Sequence, residues 1–245
     1  MRLAGARVLI TGASSGIGAA TARAMAEAGA RLVLTGRDRA RLEAVAAETD
    51  GRVIVADVTG DTDILATRAG PVDVLINNAG VGWAGPFVGM PQARLAELVA
   101  VNMTAPMRLT RSLLPGMVAA GAGHIVFVAS IAGAVGVGNE AVYSATKAGL
   151  LVFAEALHQE LRGSPRIGVS TVLPGVVATP FFERRGAEYG RRWPRPIPPE
   201  RVARAIVTAV REGRAESYVP GWLRVPARLR GAAPGPFRRL VRRFG

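Results

Sequence analysis

The 245-residue chain predicts one α/β domain: a doubly wound parallel sheet of about seven strands with helices on both faces. Three observations lead there. Apolar β-branched runs alternate with helical patterns, a glycine-rich turn joins the first run to the first helix, and no linker divides the chain. The runs "ARVLIT", "RLVLT", "RVIVA", "VDVLI", "GHIVFVAS" and "RIGVSTVL" each read as a strand buried on both faces. Between them, "IGAATARAMAEAG" (17–29) and "RARLEAVAAETDG" (39–51) close on Gly29 and Gly51, as helices do. Two long helices are expected from Met90 to about Met117 and from Ala141 to Arg162, and a last one from about Pro199 to Glu212, opened by Pro-Pro-Glu. "ESYVP" then reads as an edge strand. Repeated βαβ units of this length require right-handed crossovers and a doubly wound sheet. Residues 180–199, rich in Pro, interrupt the alternation just beyond a strand's end, where lids and binding loops lie. The expected division is a domain over residues 1–221, lid included, and a tail over 222–245.

Composition removes several function classes. There is no Cys, and His124 and His158 are the only imidazoles, so no metal site is expected. No apolar run approaches the roughly 20 residues that span a bilayer, and the N-terminus enters a strand without a signal core, so a cytoplasmic protein is expected. The net charge of +13 is unevenly placed. Residues 1–182 hold 14 Arg, one Lys and 13 acids, giving +2, whereas 183–245 hold 16 Arg and five acids, giving +11. Basicity is therefore a property of the C-terminal end, and scarce Lys beside abundant Arg also fits a GC-rich coding bias without functional meaning.

The turn between the first strand and first helix is "TGASSGIG", with Gly12, Gly16 and Gly18. Glycine permits positive φ and close backbone approach, and the helix N-terminus beyond it offers unpaired N–H groups to an anion. Its G-x-x-x-G-x-G spacing differs from the G-x-G-x-x-G fingerprint; a tight turn alone is the plain reading, and placement in a βαβ unit favours a dinucleotide site.

Seven stretches in order, "TGASSGIG", "ADV" (56–58), "NNAG" (77–80), Asn102, Ser130, "YSATK" (143–147) and "PGVVAT" (174–179), resemble the classical short-chain dehydrogenase/reductase family over about residues 4–180. The match is looser from there to about 221. The resemblance implies a Rossmann-like fold and an oxidoreductase that transfers hydride between a nicotinamide cofactor and a ketone, aldehyde or secondary alcohol. It places Gly12, Ser14, Ser15, Gly16, Ile17 and Gly18 at the cofactor phosphates, Asp57 and Val58 at the adenine, and Asn78, Ala79 and Gly80 at the nicotinamide ribose. Pro174, Gly175, Val177 and Thr179 follow at the nicotinamide end, with Thr179 near the carboxamide.

An NAD-selective site needs a carboxylate near the end of the second strand, about 20 residues beyond the glycines. That place reads "LTGRD". Gly36 stands where the family's NAD-type Asp is expected, and Arg37 can grip a 2′-phosphate bidentately. NADP(H) is thus favoured over NAD(H). Against it, Arg37 can be a solvated loop residue, and Asp38 either disfavours the phosphate or merely caps the next helix.

Tyr143 and Lys147, the only lysine of the chain, are spaced i,i+4 and project from one helical face. An adjacent ammonium favours the phenolate, so Tyr143 is expected below its reference pKa of about 10. Lys is compact, with three rotatable donors that can serve both ribose hydroxyls and Tyr143, a geometry Arg does not share. The plain alternative is a surface pair worth a few tenths of a kcal/mol. Ser130 ends a strand at the ligand-binding edge of the sheet, and Asn102 is a weak helix former inside an expected helix. By resemblance, Asn102, Ser130, Tyr143 and Lys147 form a catalytic tetrad: Ser130 holds the substrate oxygen, Tyr143 supplies the proton, and Asn102 holds a water in a relay with Lys147, which also contacts the cofactor with Tyr143.

Phe181, Phe182, Trp193 and Trp83 suggest an apolar substrate, or equally core or interface aromatics. The last 24 residues carry seven Arg and no acid, interleaved with Trp222, Leu223, Leu229, Phe237, Leu240, Val241 and Phe244. This tail fits an anionic membrane surface, reached peripherally at the inner face, or an oligomer interface; a solvated tail and nucleic-acid binding are the competing readings, and no nucleic-acid motif supports the last. Pro and Gly limit it to two short helical pieces. The family resemblance implies a homodimer or homotetramer paired through the two long helices. A non-catalytic NADP-binding or membrane-surface protein on the same fold is the alternative function.

Overall fold

The computed structural model describes residues 1–164, 166–187, 189–190 and 194–244, with the side chains through residue 239. Seven strands form one parallel sheet in the order β3-β2-β1-β4-β5-β6-β7. They are β1 Arg7–Thr11, β2 Arg31–Gly36, β3 Arg52–Val55, β4 Val74–Asn77, β5 Gly123–Val128, β6 Ile167–Pro174 and β7 Glu216–Val219. The chain starts at the centre, builds one edge through β3, then returns to lay β4 beside β1 and builds the other. This reversal opens a crevice at the carboxyl ends of β1 and β4, where Val8, Leu9 and Ile10 pair with Val74, Leu75 and Ile76.

The unbroken apolar runs follow from burial on both faces. Val8 and Ile10 enter one core with Met25 of α1 (Gly16–Glu27), Leu42 of α2 (Arg39–Thr49) and Ile206, while Leu9 between them enters the other. That second core is built with Leu65 of α3 (Thr62–Ala69), Leu109 and Leu150. All six expected strands and the edge strand are present. α3 was not expected from the sequence: it has only eight residues and is fixed by its ends, Asp61 accepting from the N–H groups of Asp63 and Ile64 and Gly70 closing it.

The helix expected over Met90–Met117 is instead three pieces, α4 Gln92–Val99, a π turn Ala100–Thr104 and α5 Ala105–Ala120. The cause is local. Pro106 has no N–H to give the Asn102 carbonyl, so the regular ladder cannot pass this point and widens by a residue. Two short helices, α6 Ile131–Val135 and α8 Phe181–Arg184, lie around the carboxyl edge, with α7 Ala141–Glu160 and α9 Pro199–Glu212 completing the layers.

The lid springs from a fixed base: Ala178 N–H donates to Ile197 O at 2.8 Å, and Ile197 N–H to Val176 O at 2.9 Å. The tail forms two short helices, α10 Arg224–Ala232 and α11 Pro234–Phe244. Leu223 and Phe237 are buried and α10 rests on α6, whereas Trp222, Val225 and Leu229 are exposed. The side chains of Leu240, Val241 and Phe244 lie outside the described residues.

One buried polar pair joins β5 to β6. His124 Nε2 lies 2.8 Å from Ser170 Oγ, and the Ser170 hydroxyl donates to Arg214 O at 2.6 Å. The single hydroxyl proton is therefore committed, and Nε2 is the donor to Ser170. Burial pushes His124 down from its ordinary 6.5 to about 4. The folded state thus resists protonation that the unfolded chain accepts, and stability is complete above about 6.5 and declines as pH falls toward 4, by about 3 kcal/mol. In denaturant titrations, His124→Asn should flatten the pH dependence between 6.5 and 4 relative to wild type; an unchanged slope contradicts this assignment.

Candidate active site

The sheet's carboxyl edge carries a cleft of about 1130 Å³, floored by the glycine loop and roofed by the lid. Of the residues expected at the cofactor, all but Gly18 line it; of the expected catalytic four, Ser130, Tyr143 and Lys147 line it and Asn102 does not.

The floor is assembled at the β1/β4 joint. The buried Thr11 hydroxyl accepts from the N–H groups of Asn78 and Ala79, both at 3.0 Å, and Asn78 Nδ2 donates to Thr11 O at 2.9 Å. These bonds bring the "NNAG" turn against the glycine loop. A Cβ on Gly12 would stand 2.9 Å from Ala79 Cα, and Gly12 has φ +65. Gly18 acts from behind the wall: a Cβ there would stand 2.1 Å from Gly12 O. The loop can take this shape with glycine alone, and its backbone lies bare toward the cleft. A dinucleotide phosphate cradle fits these residues.

At one end of the cleft lie Gly36, Arg37, Asp38, Arg41 and Asp57. Gly36 is buried, and a Cβ there would meet only ordinary contacts, 3.7 Å to Ser14 Oγ and to Leu42 Cδ2, so nothing steric demands glycine at this position, and its absence of a carboxylate is what distinguishes it. Asp38 caps α2, accepting from Arg41 N–H at 3.1 Å, and its carboxylate also meets Arg41 Nε at 3.2 Å. Arg37 Nη1 lies 3.9 Å from Asp57, whose carboxyl is held below its ordinary value by the Thr59 N–H and hydroxyl and by Arg37. Sequence reasoning missed Arg41; its place one helical turn beyond Asp38 was the available signal.

At the other end, Ser130 caps α6, its Oγ accepting from Ala132 N–H at 3.1 Å. α6 then lies directly on α7, and Gly133 allows it: a Cβ there would stand 2.6 Å from the Lys147 carbonyl carbon. This contact sets Ser130 beside Tyr143, close enough to act on the phenol. Lys147 Nζ is buried, donates to Val128 O at 2.9 Å and lies 5.8 Å from the Tyr143 ring centre.

The electrostatics correct one expectation. Burial, reinforced by Glu140, raises the Tyr143 phenol above its ordinary 10, against the opposing effects of Ser130 and Arg185. Burial also lowers Lys147 from 10.5 to about 8. Desolvation disfavours both charged forms here and outweighs the attraction expected from spacing. Tyr143 therefore rests protonated.

Asn102 is fully buried behind the cleft wall. Its Oδ1 accepts from Val81 N–H at 2.8 Å, and its Nδ2 donates to Val81 O at 2.9 Å and to Thr146 Oγ1 at 3.3 Å. The π turn swings this residue inward, and the side chain clamps the loop after β4 to α7.

The lid adds aromatics and arginines. The Phe181 ring centre lies 5.5 Å from that of Tyr143, Phe182 follows at 5.7 Å and Tyr189 at 5.4 Å beyond it. Phe181 and Phe182 line the cleft. Trp83 packs instead with the cluster of Leu98, Ala132 and Tyr143, so its side chain belongs to packing, and Trp193 lies outside the described residues. Arg185 forms a buried ion pair with Glu140 and stacks 4.5 Å from the Phe182 ring. Among the described residues, no group of three or more His, Asp or Glu is arranged to hold a metal ion.

The chain matches known proteins along most of its length. The family model described as short chain dehydrogenase matches residues 6–190. A ketoacyl reductase, HetN, from Nostoc sp. is 38% identical over 233 residues, covering 89% of this chain and 79% of the relative. Among solved structures, a short-chain dehydrogenase from Sphingobium yanoikuyae in complex with NADPH superposes with a TM-score of 0.83 at 33% identity, covering 96% of this chain and 94% of that one. One from Burkholderia phymatum in complex with NAD gives 0.85 at 26% identity, with 94% of each chain covered. The chain belongs to the short-chain dehydrogenase/reductase family and is an NAD(P)-binding oxidoreductase acting on CH–OH and C=O groups.

Proposed function

We propose that the protein is an NADPH-dependent carbonyl reductase, reversible as an alcohol dehydrogenase, for a hydrophobic ketone, aldehyde or secondary alcohol. The observation that carries the cofactor preference is the corner of the cleft at Gly36, which carries no carboxylate and is flanked by Arg37 and Arg41, while Asp38 is committed to capping α2 and to Arg41. A 2′-phosphate placed there meets two guanidiniums, and no side chain at position 36 competes for it. The likeness to a protein named ketoacyl reductase supports a ketone as the reacting group, and Phe181 and Phe182 on the cleft wall support an apolar substituent.

When bound, the nicotinamide supplies the hydride in reduction or accepts it in oxidation. The protein's part is proton and charge management. Ser130 and Tyr143 donate hydrogen bonds to the substrate oxygen, and Tyr143, protonated at rest through burial, delivers its proton there as the oxygen gains charge. Lys147 stabilises the phenolate left behind and holds the cofactor ribose. Asn102 is a positioning residue in this scheme, fixing Val81 and the adjoining wall, with the relay water expected at this turn.

Two features of the surface extend the proposal. Val152 on α7, with Val118 on α5, is exposed on the long helices, which supports self-association into a dimer or tetramer. Trp222, in the 3-10 turn that leads into α10, and Val225 and Leu229 on α10 are spaced i, i+3 and i+7 and exposed, flanked by Arg228 and Arg230. A cytoplasmic protein with this surface would rest on the anionic inner face of a membrane. Among the described residues, no helix is long and apolar enough to cross one.

Titration with NADPH and NADH, followed by a carbonyl panel read at the cofactor absorbance, should give tighter NADPH binding and turnover of apolar ketones or aldehydes. Arg37→Asp should reverse that preference by about tenfold or more. An NADH preference in wild type overturns the reading of the Arg37 corner. Light scattering should return a dimer or tetramer mass, and vesicles of mixed neutral and anionic lipid, but not neutral lipid alone, should co-sediment the protein; loss of neither binding nor salt sensitivity in Trp222→Glu contradicts the membrane face.

A further inference from the structure

We propose that Arg184 is a phosphate latch: a lid residue that binds the cofactor's diphosphate from above and so couples cofactor binding to closure of the substrate pocket. The proposal rests on the dinucleotide reading of the cleft.

The loop from Gly12 to Gly18 contains no cation. Its attraction for a diphosphate comes from backbone N–H groups and the positive end of α1 alone. The lid supplies what the loop lacks. Arg184 lines the cleft, and its Nη2 donates to Ser15 Oγ at 3.1 Å, a contact across 169 positions of sequence. Ser15 is the N-cap residue of α1, yet its hydroxyl caps no helix N–H. It faces the guanidinium instead. Thr179, at the root of the lid, lies equally close: a Cβ on Gly16 would stand 3.0 Å from Thr179 Cγ2. Among the described residues, no carboxylate forms an ion pair with Arg184, and its guanidinium stands over the phosphate loop. A guanidinium there can pair bidentately with phosphate oxygens.

The coupling follows from what else the same short helix carries. Phe181, one turn earlier, packs on Tyr143, and Arg185, the next residue, is anchored in the buried pair with Glu140 beside that phenol. The anchor at Arg185 holds the lid whether or not a ligand is present. Arg184 adds a second attachment that only a phosphate completes, and tightening it presses Phe181 against the proton donor. Two adjacent arginines thus divide the work, one joined to the protein and one offered to the cofactor.

The test compares wild type, Arg184→Gln and Arg195→Gln; the last removes the same charge from an exposed position outside the cleft. Equilibrium binding of NADPH and of adenosine 2′-monophosphate, which lacks the diphosphate, is measured by fluorescence or calorimetry. Lid closure is read separately as NADP⁺-dependent protection from chymotrypsin, which cuts beside Phe182 and Tyr189. Arg184→Gln should weaken NADPH binding by about tenfold or more, leave adenosine 2′-monophosphate binding unchanged and abolish protection, while Arg195→Gln behaves as wild type. Wild-type NADPH affinity or undiminished protection in Arg184→Gln overturns the latch, as does an equal loss in Arg195→Gln or a parallel loss of the monophosphate. Wild type that binds no dinucleotide at all overturns the underlying cofactor reading together with it.

Discussion

The hydroxyl of Thr11 holds the site together. By accepting the N–H groups of Asn78 and Ala79 at the end of β1, it fixes the turn after β4 to the glycine loop at the point where the sheet reverses direction. Everything on the cleft floor is measured from that joint. Gly12 and Gly18 are small because this approach leaves no room for a Cβ, and Val81, a little further along the turn, is where Asn102 takes hold. A doubly wound sheet leaves a crevice at its switch point by topology; here one buried hydroxyl turns that crevice into a defined surface.

The chemistry of the pocket comes from burial more than from charge pairing. Tyr143 and Lys147 share a helical face, but both are removed from water, so the phenol keeps its proton and the ammonium is loosened to about 8. In the proposed reaction, a phenol in that state serves as the acid toward a substrate oxygen on which charge develops. The contact between Gly133 and α7 completes the arrangement by setting Ser130 within reach. Small residues thus control the geometry of large polar ones, at the floor and at the catalytic end alike.

Much of this was legible in the sequence because it is periodic or local. Runs such as "ARVLIT" announce strands buried on both faces, and the i,i+4 spacing of Tyr143 and Lys147 places them on one face without further information. α3 escaped because Asp61 and Gly70 fix its ends while its few apolar residues give little pattern. The π turn escaped because its signal is a single residue, Pro106, four positions beyond Asn102. The direction of the Tyr143 shift was misjudged for a different reason: spacing reveals a neighbouring charge, but the depth of burial that outweighs it is a tertiary property. The contacts of Arg184 with Ser15 and of Arg185 with Glu140 join distant segments and have no counterpart in local pattern.

The most direct test of the account is single-turnover reduction by the NADPH-loaded protein with and without the Tyr143 hydroxyl, using whichever carbonyl the wild type turns over. Tyr143→Phe should bind NADPH within about twofold of wild type while hydride transfer falls by roughly 100-fold or more. Transfer within a few-fold of wild type would show that the buried phenol is not the proton source and that the chemistry is organised elsewhere in the cleft.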